Sequence, residues 1–174
     1  MPTSTVAPTG VERTFAEDEF IVSKTDTKGR ITYVNEVFCR VASYSETEAL
    51  GKPHSLVRHP DMPRSVFKLL WDTIESGNEI FAYVLNMAKN GDHYWVFAHV
   101  TPTYDDAGRI IGYHSNRRKP RQEAVSKAAG LYAQLLDIEK KAGDRKEGMM
   151  KAIETVVGLL KQQGTTYEEF VFTL

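Results

Sequence analysis

Between Glu19 and Asn35 the chain reads as two short extended segments around a turn. Glu19 to Asp26 predicts a strand, and Ile31-Thr32-Tyr33-Val34-Asn35, alternating and rich in β-branched and aromatic residues, predicts a second that closes a hairpin. Asp26-Thr27-Lys28-Gly29-Arg30 supplies the turn, with Gly29 free to take a positive φ. From Glu36 the spacing becomes helical. Val37, Phe38, Val41 and Ala42 form one short piece, and Ala49 and Leu50 close a second. The second opens on Ser45 with Glu48 three residues on, a capping box, and ends at Gly51-Lys52-Pro53. Residues 53–63 hold three prolines and two histidines and predict irregular backbone. Val66, Phe67, Leu69, Leu70, Trp71 and Ile74 then mark an amphipathic helix that stops at Gly77. Three strands follow, over Glu79 to Met87, His93 to Thr103 and Ile110 to Asn116. Asn90-Gly91 predicts a two-residue hairpin turn between the first two. In the middle strand Tyr94, Val96, Ala98 and Val100 share one face, and Trp95, Phe97, His99 and Thr101 the other. The order predicts an α+β fold: one five-stranded antiparallel sheet with short helices on one face.

Arg117-Arg118-Lys119-Pro120 reads as a boundary. Beyond it Ala124, Ala128, Leu131, Leu135 and Ile138 repeat at helical spacing, and Met149, Met150, Ile153, Val156, Val157 and Leu160 make a second stripe, with Gly143-Asp144 between. A C-terminal helical hairpin is expected. The division is a flexible N-terminal arm over 1–14, a body over 15–118 and a helical extension over 119–174.

Composition narrows the function. The chain has 174 residues, 41% hydrophobic and 26% charged, enough for a real core. With 22 basic and 23 acidic residues it lacks a chain-wide footprint for nucleic acid. No apolar run approaches the ~20 residues of a membrane span, and Met1 to Gly10 has no signal-peptide pattern. The single cysteine, Cys39, reads as a small buried hydrophobe, and it excludes an internal disulfide and a Cys-rich metal site. A cytoplasmic location is expected.

No phosphate loop, nucleophile elbow or HExxH is present, so no enzyme is expected. The informative segment is Pro53-His54-Ser55-Leu56-Val57-Arg58-His59-Pro60-Asp61-Met62-Pro63. It admits two readings. One is a turn in which an Arg58–Asp61 ion pair caps the following helix. The other is a ligand clamp, with Arg58 on a phosphate or a ring carbonyl and His59 or Asp61 hydrogen-bonding the ligand.

This loop, with Gly51-Lys52-Pro53-His54, Ile31-Thr32-Tyr33-Val34-Asn35, Trp71 and Lys89-Asn90-Gly91-Asp92-His93-Tyr94-Trp95-Val96, resembles the PAS sensory domain of bacterial aerotaxis receptors over residues 20–118. The helical tail and Thr165-Thr166-Tyr167-Glu168-Glu169-Phe170 are similar to the end of short, stand-alone PAS proteins of energy taxis. The resemblance implies a non-covalent FAD between sheet and helices, reporting electron-transport redox state. Carried onto this chain, it assigns Arg58, His59 and Asp61 to the flavin loop, Asn35 and Asn86 to strand positions facing the cofactor, and Trp71 and Trp95 to aromatics near it. The family has a tryptophan in the segment matching Glu79 to Ala82; here any ring stacking from that segment falls to Phe81. The implied partner is a membrane-bound methyl-accepting chemotaxis transducer at its HAMP-proximal region, with a homodimer expected and no direct membrane insertion. Two alternatives stand: a haem b sensor using His54, His59, His93, His99 or His114 as axial ligand, and a cofactor-free dimerisation module.

Overall fold

The computed structural model describes residues 6–174. Its elements run β1 (Ile21–Thr25), β2 (Ile31–Val34), α1 (Glu36–Ala42), α2 (Glu46–Ala49), a 3-10 turn (His54–Val57), α3 (Arg64–Glu75), β3 (Ile80–Met87), β4 (His93–Tyr104), β5 (Ile110–Arg118), α4 (Gln122–Lys141), α5 (Arg145–Gln163) and α6 (Tyr167–Thr173). The strands form one antiparallel sheet in the order β2-β1-β5-β4-β3. The expected α+β architecture is present.

Local chemistry explains where the elements begin. The Asp26 carboxylate accepts from Lys28 N at 2.8 Å and Arg30 N at 2.9 Å, and Gly29 sits at φ +76, so the β1–β2 turn is held from within. Ser45 and Glu48 complete the capping box that opens α2, and Thr166 and Glu169 complete another that opens α6, a short helix not foreseen in the tail. The β3–β4 connection departs from the two-residue turn. Gly91 N bonds Ala88 O at 2.9 Å and Ala88 N bonds Asp92 O at 2.7 Å; Gly91 alone takes a positive φ, of +95. The turn is centred on Lys89 and Asn90, and Gly91 forms a bulge after it.

The inner sheet face carries Tyr94, Val96, Ala98 and Val100, all buried, and packs against α1 and α3 through Phe38, Leu70 and Ile74. Each such large side chain contributes about 1.5–3 kcal/mol by leaving water. The outer face of β3 and β4 is covered by α4 and α6: Trp95 stacks on Tyr132 at 6.0 Å, while Tyr83 packs with Ala124, Ala128 and Val171. Strand β3 is a sheet edge, and its outward backbone is occupied by side chains. Tyr132 donates to Tyr83 O at 2.6 Å, Tyr167 donates to Phe81 O at 2.8 Å, and Leu85 N meets Met62 Sδ at 3.4 Å. At the other edge Ile31 N bonds Lys52 O and Gly51 N bonds Ile31 O, both at 2.8 Å.

The segment read as a flexible arm differs in its described part. Thr9 N bonds Gly91 O, Arg13 N bonds His93 O, and His93 N bonds Val11 O, while Arg13 pairs with Asp92 at 3.0 Å. These contacts run residues 9–13 along the start of β4; residues 1–5 lie outside the described part. The last strand, expected to end at Asn116, runs two residues further. β5 continues through Arg117 and Arg118, and Arg117, the first of the two, in the inner-facing alternation with Tyr113 and Ser115, is only 2% exposed.

Candidate functional site

A cavity of about 470 Å³ lies between the inner sheet face and α3, within the range of small-molecule sites. Val84, Asn86, Ala98 and Val100 form its floor from β3 and β4, and Tyr113, Ser115 and Arg117 extend it along β5. Phe67, Leu70, Trp71 and Ile74 of α3 form the roof. Trp71 and Tyr113 meet edge to face at 5.5 Å, which fixes an aromatic corner. Gly29 is required beside it: a Cβ there would stand 2.9 Å from Trp71 Cη2.

The inner end carries a charge without a counter-charge. Arg117 donates from Nη2 to Ser23 Oγ, faces His54 Nε2 from Nη1 at 3.5 Å, lies 5.6 Å from the centre of the Phe38 ring, and leaves Nε without a partner. No carboxylate pairs with it among the described residues. Burial pulls its pKa down to about 10, still far above neutrality, so the group remains a cation. His54 feels both burial and that cation, and its pKa falls to about 3. The ring is therefore neutral, and with its proton on Nδ1, Nε2 accepts from Ser23 Oγ at 2.9 Å. The Asn86 side chain is 3% exposed, lines the cavity and makes no hydrogen bond among the described residues.

The mouth is also basic. Lys28, Arg58, Arg64 and Lys68 line it. Arg58 lays its guanidinium over Phe67 at 4.5 Å and carries no ion pair among the described residues, so the Arg58–Asp61 pair is not formed. Burial first, then Arg64, lowers the Arg58 pKa.

Of the residues singled out from sequence, Arg58, Trp71 and Asn86 meet in the cavity. The other four do not. Asn35 caps α1: its Oδ1 accepts from Phe38 N and Val22 N, both at 3.0 Å, and its Nδ2 donates to Phe20 O at 2.8 Å, which commits the amide to the backbone. His59 turns away, accepting on Nδ1 from Asp61 N at 3.0 Å and meeting His93 edge to face, and burial lowers its pKa. Asp61 is exposed. Trp95 belongs to the outer face under α4, and Phe81 stacks there on His99 at 4.1 Å, so neither reaches the cavity. The residues missed were Ser23 and Arg117, and His54 was considered only as a haem ligand. The alternation of β5 carried a signal for Arg117, since Tyr113, Ser115 and Arg117 share a face.

The family model described as PAS fold matches residues 31–117. The aerotaxis receptor of Escherichia coli is 40% identical over 120 residues, covering 69% of this chain and 24% of the receptor. A nitrogen fixation regulatory protein of Klebsiella pneumoniae is 29% identical over 97 residues, 56% of this chain and 20% of that protein. The chain thus spans about a quarter or less of these relatives. Among solved structures, a light-oxygen-voltage domain studied with a flavin analogue aligns at a TM-score of 0.55 and 19% identity, covering 71% of this chain and 87% of that one. A PAS domain from Colwellia psychrerythraea aligns at 0.54 and 19%, covering 58% and 86%. Both share the fold.

Proposed function

Since the chain belongs to the PAS fold family, we propose that it is a flavin-binding redox sensor, with FAD as the cofactor, that passes its state to a membrane chemotaxis transducer near the HAMP region. The observation that carries the reading is the buried, uncompensated cation of Arg117 at the inner end of an aromatic-walled cavity, in a chain 40% identical to an aerotaxis receptor over 120 residues.

The residues present fit the cofactor. A planar ring is suited to the slot between the α3 aromatics and the flat floor of Val84, Ala98 and Val100. Asn86 offers one donor and one acceptor edge, both free. The basic mouth suits the phosphates of a dinucleotide, and Arg58 is placed for a charge-assisted contact there. A bound flavin supplies the electron and proton chemistry. Arg117 would set a fixed positive potential at the inner end of the cavity and would favour the ligand state that carries more negative charge. His54, kept neutral, leaves that potential undiluted, and Ser23 holds both side chains in place. The apolar walls exclude water and strengthen each of these interactions.

The alternatives gain no support from the geometry. Among the described residues His54 is the one histidine in the cavity wall, and its Nε2 is committed to Ser23 and Arg117 rather than open to a haem iron. A cofactor-free module has no use for a buried cation without a counter-charge.

The test is the visible spectrum of the purified chain, followed by chromatography of the released chromophore and a redox titration with and without the transducer's cytoplasmic fragment. Flavin bands, release of FAD and a midpoint that moves with the fragment support the proposal. A Soret band, or a colourless protein that FAD does not reconstitute, overturns the flavin assignment. A fragment that binds without moving the midpoint overturns the signalling route, because such coupling is reciprocal.

A further inference from the structure

The C-terminal helices reach the cavity itself. Helix α3 begins at Arg64, and its N-cap residue, Pro63, has no side-chain group that can accept a capping hydrogen bond. Glu139 of α4 serves instead: its carboxylate accepts from Arg64 N at 3.1 Å and Ser65 N at 2.9 Å, in the first turn of the helix that carries Phe67, Leu70 and Trp71. A carboxylate satisfies free N–H groups there and complements the helix dipole. Helix α5 crosses α4 at the same residue. A Cβ on Gly148 would stand 2.6 Å from Glu139 O, so only glycine permits the approach. The next residue, Met149, lines the cavity, although it lies in the extension, outside the region that matches the family. Glu139 therefore ties together α3 through its side chain and α5 through its backbone, one residue from the cavity wall.

We infer that α5 closes the ligand cavity through Met149, and that Glu139 is the positioning residue that holds it closed, so that ligand exchange requires α5 to lift. The inference rests on the cavity being a flavin site. Closure and occupancy then stabilise each other: a ligand protects α5, and a loosened α5 lets the ligand go.

The experiment uses the full chain and FAD as the probe. Glu139→Ala and Met149→Ala are expected to release FAD about tenfold faster or more, with Glu139→Gln between them and wild type. FAD is expected to slow amide exchange over α5 in wild type and to do so far less in Glu139→Ala. Ser45→Ala removes a comparable cap on α2, away from the cavity, and Glu154→Ala alters the exposed side of α5; both are expected to keep the wild-type release rate. Release within twofold of wild type in both Glu139→Ala and Met149→Ala overturns the inference. Should wild type bind no FAD, the flavin reading fails, and closure is read on the ligand-free chain. In a Trp95→Phe background, acrylamide quenching of Trp71 that rises on Glu139→Ala supports closure, and unchanged quenching overturns it.

Discussion

The Arg117 guanidinium and the His54 imidazole face each other at 3.5 Å in the cavity wall, a cation kept beside a ring that stays neutral near pH 7. The two are coupled: burial and then Arg117 hold His54 neutral, and neutral His54 turns Nε2 toward Nη1 of Arg117. The pair concentrates positive charge on one residue.

Stability should fall in acid because of His54. Its ordinary pKa of 6.5 drops to about 3 in the folded chain. Below pH 6.5 the unfolded chain takes up a proton that the folded chain refuses. The stability is fully present above 6.5 and is lost as the pH falls toward 3, by up to about 1.4 kcal/mol per unit. Urea titrations of wild type and His54→Asn between pH 7 and 4 check this: the variant should show a shallower decline over that window.

Arg117→Met should separate binding from folding. Removing a buried cation that has no carboxylate partner costs little, within about 1–2 kcal/mol. FAD affinity should fall by about tenfold or more, the effect of ~1.4 kcal/mol. Fluorescence titration and urea unfolding of the same variant measure both, and equal losses in the two would contradict the assigned role.

Gly29→Ala should cost about 1–2 kcal/mol from the positive φ alone. It should also change the Trp71 emission, because the new methyl meets the indole at 2.9 Å. Thermal unfolding and Trp71 fluorescence in a Trp95→Phe background report the two effects.

Asn35→Ala should destabilise by about 1–2 kcal/mol through loss of the α1 cap, with FAD affinity held within about twofold of wild type. A large loss of affinity with intact stability would restore the residue to the site.

Much of the fold was legible because its signals are local. Alternation in β4, the Ser45–Glu48 box and the helical spacing after Pro63 each depend on residues within one or two turns. The turn at Asn90-Gly91 was misjudged because its geometry depends on backbone bonds across the hairpin, not on the dipeptide alone. The site was half legible. Arg58, Trp71 and Asn86 were found through resemblance and do meet in the cavity, but Asn35 and His59 sit beside it in sequence and face backbone. Which side a loop residue faces is decided by contacts far along the chain. Arg117 was hidden for a related reason: in Arg117-Arg118-Lys119-Pro120 it looks like a solvated charge run, and only pairing with β1 and β4 brings it inside.

The tyrosine hydroxyls on the outer backbone of β3, with the turn segment of residues 51–52 bonded to Ile31 of β2, bear on how such a chain can associate. Strand-to-strand polymerisation needs a row of free amides, and here both flanks offer few. Recognition by another protein must then proceed through side-chain chemistry on faces and helices. That makes it selective and reversible, and it lets a small shift of a helix alter the contact without unzipping the sheet.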